Sequence, residues 1–524
     1  MATAVKIIHN LYRDSVALMQ LSGRLAKLPG MLRASAIMAS QNNLGFLREA
    51  GLLSAPVEAG PNDLLVALEA QDDAALEAAM AEAHEALNAA PAAGSSNGPR
   101  REPPHSLEMG LAVMPAANLA LISTPGDYAA AEAMKALRLG LNVMVFSDNV
   151  ALEDEITLKR HARSSDLIVM GPDCGTAIIG GVPLGFANVV RRGDIGLVAA
   201  SGTGLQQVSC LIDRLGGGIS QAIGTGSHDL HREVGGISML QALDALAADA
   251  GTRVIVLISK PPAPEIAARV LEQARSAGKP VVVNFLGANL GSAAAPTLTQ
   301  ARTLEDAAVA AVALAAGRPA RRLAPPIEVA EPSAGGSGER YVRGLYSGGT
   351  FCYEAALLLG ETLSPVFSNT PVGQASPLAD VWKSGAHSLI DLGDDAFTRG
   401  RPHPMIDHRL RNQRLLEEAG DPQVAVVLLD VVLGFGAHPD PAAEIAPVVR
   451  EAIARAAAAG RKLAVVGFVC GTPSDPQNLG RQEATLREAG MILTHSNAQA
   501  VRLAARMVAR TAGDVRAAQE AHSA

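Results

Sequence analysis

The sequence predicts an α/β protein: a Rossmann-like domain and two flavodoxin-like domains, preceded by a small N-terminal α/β unit. Three observations predict it. Short apolar runs such as "IGLVAA" and "RVIVLISK" alternate with amphipathic segments at the spacing of βαβ units. Those runs end in turns rich in glycine and serine. Two stretches of Pro, Gly and Ser without period divide the chain. With 524 residues, 48% of them apolar, the chain can bury several cores.

Taken in order, residues 1–90 hold the strand signals "AVKIIHN", "LRASAIMAS" and "DLLVALEA", with the helical "DDAALEAAMAEAHEALNAA" after the last. This is the pattern of a small α/β or ferredoxin-like unit. Residues 91–110 form a linker, carrying "PAAGSSNGPRREPPHS". Residues 111–185 form the Rossmann-like domain: strand "ANLALIST", helix "DYAAAEAMKALRLG", strand "LNVMVFS", helix "EDEITLKRHARSS", and the strand with its exit turn "DLIVMGPDCG". Residues 186–322 form the first flavodoxin-like domain, with strands "IGLVAA", "GISQAIGTG", "RVIVLISK" and "PVVVNFLG". A second linker, 323–340, leads to the other flavodoxin-like domain, 341–512. Its strands are "YVRGLYS", "SLIDLG", "VAVVLLDVVLG" and "KLAVVGFVCG".

Composition removes several function classes. A net charge of −8 and 3% aromatic residues, with Trp382 the single tryptophan, disfavour nucleic acid and anionic membrane as partners. Cys174, Cys210, Cys352 and Cys470 are far apart, with no CxxC and no HExxH, so no metal site is expected. No apolar run approaches 18 residues, and the first residues lack a signal-peptide core. A cytoplasmic protein is expected.

In open parallel sheets, ligands sit beyond the carboxyl ends of the strands. Two strand-exit turns stand out: Ser201-Gly202-Thr203-Gly204 and Ser347-Gly348-Gly349-Thr350. Each lies between a strand and a helix, where unpaired N–H groups and the helix dipole favour an anion. Either turn alone is better explained by ordinary turn chemistry; together they suggest two anion-binding helix starts. No GxxxxGK[ST] occurs, nor a GxGxxG with a properly spaced acid, which disfavours ATP hydrolysis and hydride transfer.

"GRPHPMIDHRLRNQR", 400–414, is dense in chemistry. His403 could act as acid, base or substrate donor, and Arg409 as a fork for a carboxylate or phosphate. The alternative is a solvated helix start with Asp407 as cap. Cys174, after Asp173 at a strand exit, is either a nucleophile or a small buried hydrophobe.

These turns, in this order, resemble the succinyl-CoA synthetases. "LIVMGPDCGTAI", "IGLVAASGTG" and "IGTGSHDL" are similar to turns of their α-subunit; "LIDLGDDA" and "DPQVAVVLLDVVLGFGAHPD" are similar to the ligase domain of their β-subunit. With "LYRDSVALMQLSGRLAKLPGMLRASAIM", "HPMIDHRLRNQR" and "GTPSDPQ", nearly the whole chain resembles the FdrA family, a fused relative of these ligases. The departures are specific. The phosphohistidine turn of the synthetases is replaced by "GANLGSAAAPTLTQ", without histidine. Their phosphohistidine-holding glutamate corresponds to "ISKPP", which puts Lys260 at or beside it. No ATP-grasp domain and no CoA-phosphate loop are visible.

The resemblance implies a carbamoyltransferase of allantoin and purine breakdown. It would convert oxalurate and phosphate to oxamate and carbamoyl phosphate, together with companion subunits and without a required cofactor. It further implies that phosphate or carbamoyl phosphate lies between Ser201–Gly204 and Ser347–Thr350, helped by Lys260, with Asp173 and Cys174 beside it. His403 or Arg409 would then meet the substrate carboxylate or protonate the leaving nitrogen. Two alternatives remain open: an acyl-CoA synthetase binding CoA near Asp127 and Pro172, and a non-catalytic scaffold subunit. Self-association is expected, as in synthetase subunits.

Overall fold

The computed structural model describes residues 2–13, 15–49, 51–53, 55, 57–88, 103–288, 297–319, 339–398 and 401–522. In the N-terminal unit, strands Ala2–Ile8 and Met31–Met38 flank Leu64–Ala70, which runs antiparallel to both. Both faces of that central strand are covered, so it is apolar nearly throughout. Leu18, Leu21 and Leu25 of helix Ser15–Ala26 and Ala79, Ala83 and Leu87 of helix Asp73–Asn88 pack with Leu64, Val66 and Leu68. Leu44, Leu47 and Leu53 pack with Leu65 and Ala67.

The first linker ends earlier than the sequence suggests. Helix Leu107–Val113 occupies its last residues, because Ser106 caps it by accepting from Met109 N at 3.2 Å. The linker to residue 102 and the second linker to residue 338 lie outside the described residues. The Rossmann-like sheet has three parallel strands: Leu119–Ile122, Asn142–Val145 and Val169–Met170.

The Rossmann-like domain ends before residue 185. The stretch 176–185, placed with the Rossmann-like domain from sequence, is a hairpin on the edge of the next sheet, with Ile178 opposite Ala222. Gly180 and Gly181, at φ 61° and 85°, form its two-residue turn, a geometry open to glycine and matched to strand twist. Behind that hairpin, the second sheet runs in the order Ile219–Gly224, Arg192–Ala200, Val254–Ser259, Val281–Phe285, Leu298–Gln300, all parallel. The third sheet is fully parallel. Its centre is Tyr341–Tyr346, between His387–Asp391 and Val424–Val432, with Ala464–Cys470 and Ile492–Thr494 beyond the latter.

Arg192–Ala200 and Tyr341–Tyr346 are the strands from which the chain order departs in both directions, so each sheet opens its ligand crevice there. One apolar cluster joins the two domains: Leu205, Val208 and Ile212 of helix Gly202–Arg214 belong with Phe351, Ala355 and Leu359 of helix Gly349–Gly360. Asp475, in "GTPSDPQ", clamps the seam, accepting from Val189 N at 2.8 Å and Asn188 Nδ2 at 2.9 Å. Among the described residues, no helix is long and apolar enough to cross a membrane.

Candidate functional site

Ser201 leaves its strand with an extended backbone, and its Oγ accepts from Gly204 N at 3.0 Å, which starts helix Gly202–Arg214. Helix Gly349–Gly360 follows Ser347-Gly348, with Gly348 at its N-cap and no side-chain cap hydrogen bond. The two starts meet: Ser201 Oγ and Thr350 Oγ1 are 2.6 Å apart, sharing a hydrogen bond between domains. Glycine permits this approach, since a Cβ on Gly348 would come 2.6 Å from the Phe351 ring and 3.0 Å from Thr203 Cγ2. Among the described residues, the N–H groups of Gly202, Thr203, Gly349 and Thr350 have no protein acceptor.

The two turns are not equivalent. Ser347 N and Gly348 N already donate to Asp430, at 2.7 and 2.9 Å. Asp430 is buried mid-strand and held by Arg411, whose Nη1 reaches its Oδ1 at 3.0 Å, its carbonyl at 2.6 Å and Ser347 Oγ at 2.6 Å. An internal carboxylate thus fills half of the second turn's donors.

Both helix starts open into a cavity of about 690 Å³. Asp173, Cys174, Lys260, Asp391 and His403 line it too, with residues of the N-terminal unit. Asp173 and Asp391 both feel the charge of Lys260. Asp391 lies deep, accepting from Gly393 N at 2.9 Å, and a Cβ on Gly349 would run into its carboxylate. Asp173 opens to the cavity but is crowded by surrounding atoms. Burial pushes each carboxyl up to about 6, against the pull of Lys260.

The raised Asp391 has a consequence for stability. Its folded pKa lies above its unfolded value near 3.9, so ionisation costs the folded state above pH 6 and nothing below about pH 4. Asp391→Asn is uncharged throughout. Its melting temperature is therefore expected to exceed the parent's at pH 8, with the gap shrinking as pH falls through about 6. An equal gap at pH 8 and pH 4 would contradict this.

His403 lines the cavity as a neutral ring. Its Nδ1 accepts from Met405 N at 3.2 Å, which leaves the proton on Nε2. Burial, with the charge of Arg411, pushes it down to about 4. Of the two roles expected for it, substrate donor fits this state directly. Cys174 is fully buried with Sγ 3.5 Å from Gly224 O, and burial pushes the thiol up to about 12. It is a small buried group, not a thiolate.

Arg409 is not brought to the cavity. Its Nε lies 2.9 and 3.0 Å from the Asp407 carboxylate, at an exposed helix start. Arg411, two residues on and so on the other side of helix Arg409–Gly420, faces inward instead. Sequence reasoning passed over Asp391, although it ends a strand, and Asp430. A charged residue inside "VVLLDVVLG" signals a buried carboxylate that needs partners. The stretch 287–300, where a phosphohistidine turn was missing, lies outside the described residues over 289–296.

Residues 1–103 match an AllF heavy metal-associated domain, residues 190–287 a CoA binding domain and residues 345–507 a CoA-ligase domain. YahF of Escherichia coli (strain K12) is 43% identical over 504 residues, which is 95% of this chain and 97% of that protein. Subunit alpha 2 of an ADP-forming succinate–CoA ligase of Archaeoglobus fulgidus is 28% identical over 174 residues, 32% of this chain and 58% of that subunit. Among solved structures, a dinucleotide-forming acetyl-coenzyme A synthetase 1 of Ca. Korarchaeum cryptofilum, in complex with phosphate and ADP, aligns at 17% identity. The alignment covers 76% of this chain and 84% of that one, with a TM-score of 0.32.

The residues present suit neither of the two groups that the matched domains imply. A soft heavy metal does not fit the N-terminal unit: residues 1–103 contain no cysteine, and His9 Nδ1 is engaged by Asp63 at 3.1 Å. No group of three or more His, Cys, Asp or Glu is placed for a metal among the described residues. The diphosphate of CoA fits poorly beside Asp127, where Asp148 and Asp395 also line the cavity. Burial and the Asp395 charge raise the Asp148 carboxyl.

Proposed function

This chain belongs to the family of Escherichia coli YahF, and we propose that it is a subunit of a carbamoyltransferase interconverting oxalurate plus phosphate and oxamate plus carbamoyl phosphate. The meeting of the two helix starts at Ser201 and Thr350 carries the reading. Their N–H groups would cradle one phosphate, and the stretch 287–300, at the place of the phosphohistidine turn, has no histidine to receive it.

A phosphate oxygen attacks the carbamoyl carbon, forming a C–O bond and a tetrahedral oxyanion. The intermediate collapses by breaking the bond from that carbon to the oxamate nitrogen, which takes a proton. Helix-start N–H groups hold the phosphate; Lys260 and the Nε2–H of His403 face the developing negative charge. The carboxylates of Asp173 and Asp391 accept from the ureido N–H groups. With pKa values near 6, either can pass a proton to the leaving nitrogen.

The AllF match at residues 1–103 supports the allantoin setting. Companion subunits belong to this proposal as the source of whatever the chain does not supply. The test is carbamoyl phosphate formation from oxalurate and phosphate, without ATP or CoA, by the chain alone and with its co-expressed neighbours. Absence of product in both would overturn the proposal.

Two observations favour a second reading, acyl-CoA ligation: the CoA binding domain match at residues 190–287 and the CoA-ligase match at residues 345–507. CoA would then raise the melting temperature where phosphate and carbamoyl phosphate do not.

A further inference from the structure

The N-terminal unit forms a wall of the cavity, and its contribution is a cation. After strand Ala2–Ile8 the chain turns through Asn10, at φ 53°. Asp63 fixes this turn, accepting from Asn10 N at 2.9 Å and Gly60 N at 2.8 Å. Tyr12 OH then donates to Ser123 O at 2.9 Å, which fastens the loop to the exit turn of strand Leu119–Ile122. Lys27 adds an ion pair with Glu444 of the last domain at 2.5 Å.

Held in this way, Arg13 lines the cavity. Its Nη2 donates to Leu87 O at 2.9 Å and its Nη1 to Tyr12 O at 3.0 Å. Both acceptors are neutral carbonyls, so they orient the guanidinium without offsetting its charge. No carboxylate pairs with Arg13 among the described residues. The other cations of the cavity are already engaged. Lys260 feels Asp173 and Asp391, and Arg401 sits 5.3 Å from the centre of the Trp382 ring.

We infer that Arg13 binds the carboxylate of the substrate, at the end opposite the phosphate, so that the N-terminal unit supplies the subsite selecting a short carboxylic acid amide. The inference rests on the carbamoyl-transfer reading for the identity of that acid. A guanidinium held by carbonyls on one edge can offer its remaining N–H groups to a carboxylate as charge-assisted hydrogen bonds.

The experiment compares full-length protein with Arg13→Gln and Arg13→Lys. Thermal shift is recorded with oxamate, with ethyl oxamate as its neutral ester, and with inorganic phosphate. The parent should bind oxamate about 10- to 100-fold more tightly than the ester, the range expected for hydrogen bonds to a charged group. Arg13→Gln should lose that preference, Arg13→Lys should keep part of it, and phosphate binding should be unchanged in both. A purely structural role would weaken all three ligands together. An intact oxamate preference in Arg13→Gln overturns the inference and leaves the carbamoyl-transfer reading standing. A parent that does not bind oxamate at all overturns the inference together with that reading.

Discussion

Replacing Gly202 by proline is expected to lower phosphate-dependent turnover about 10²- to 10³-fold while leaving the fold intact. Gly202 is the first residue of its helix, a position where proline is favoured and where its N–H has no partner within the helix. Ser201, at φ −166° and ψ 110°, already has the extended backbone that a following proline prefers. A Cβ there meets only Thr176 Oγ1, at 3.4 Å, an ordinary contact. The substitution therefore deletes one donor aimed at the anion and little else. Gly202→Ala keeps the N–H and should keep most of the activity. The measurement is the rate as a function of phosphate concentration, with melting temperature as the control. Full activity in Gly202→Pro would remove phosphate from this helix start.

Arg411→Met is expected to destabilise the last domain by about 3–5 kcal/mol, read as a lower urea midpoint. Arg411 is 1% exposed and is the cation paired with Asp430, whose carboxylate also holds Ser347 N and Gly348 N. Removing the guanidinium leaves a buried charge with hydrogen bonds but no counterion. Adding Asp430→Asn removes that charge, so the double variant should be more stable than Arg411→Met alone. A double variant less stable than the single one would mean that Arg411 acts by packing.

The long strands could be read from sequence because a run such as Val424–Val432, apolar at every position but Asp430, leaves little choice of structure. Strands of two or three residues, Val366–Ser368, Ser376–Pro377 and Ile492–Thr494, could not, because no period is visible over so short a length. Ser201 and Ser347 were legible as strand exits, a local property. Arg409 and Arg411 were not separable, because which side of a helix faces inward depends on the sheet it packs against. The fastening of Tyr12 to Ser123 joins positions 111 apart, and no local pattern carries it.

Ser201 and Thr350 are 149 residues apart and come from separate sheets, yet each completes the other's cradle. If these halves were separate chains, the complete cradle would exist only in proportion to their association, and dilution would dissolve it. Covalent continuity replaces that encounter with an intramolecular one at an effective concentration set by the tether. Activity per molecule should then stay constant on dilution, down to the concentration at which any companion subunit leaves.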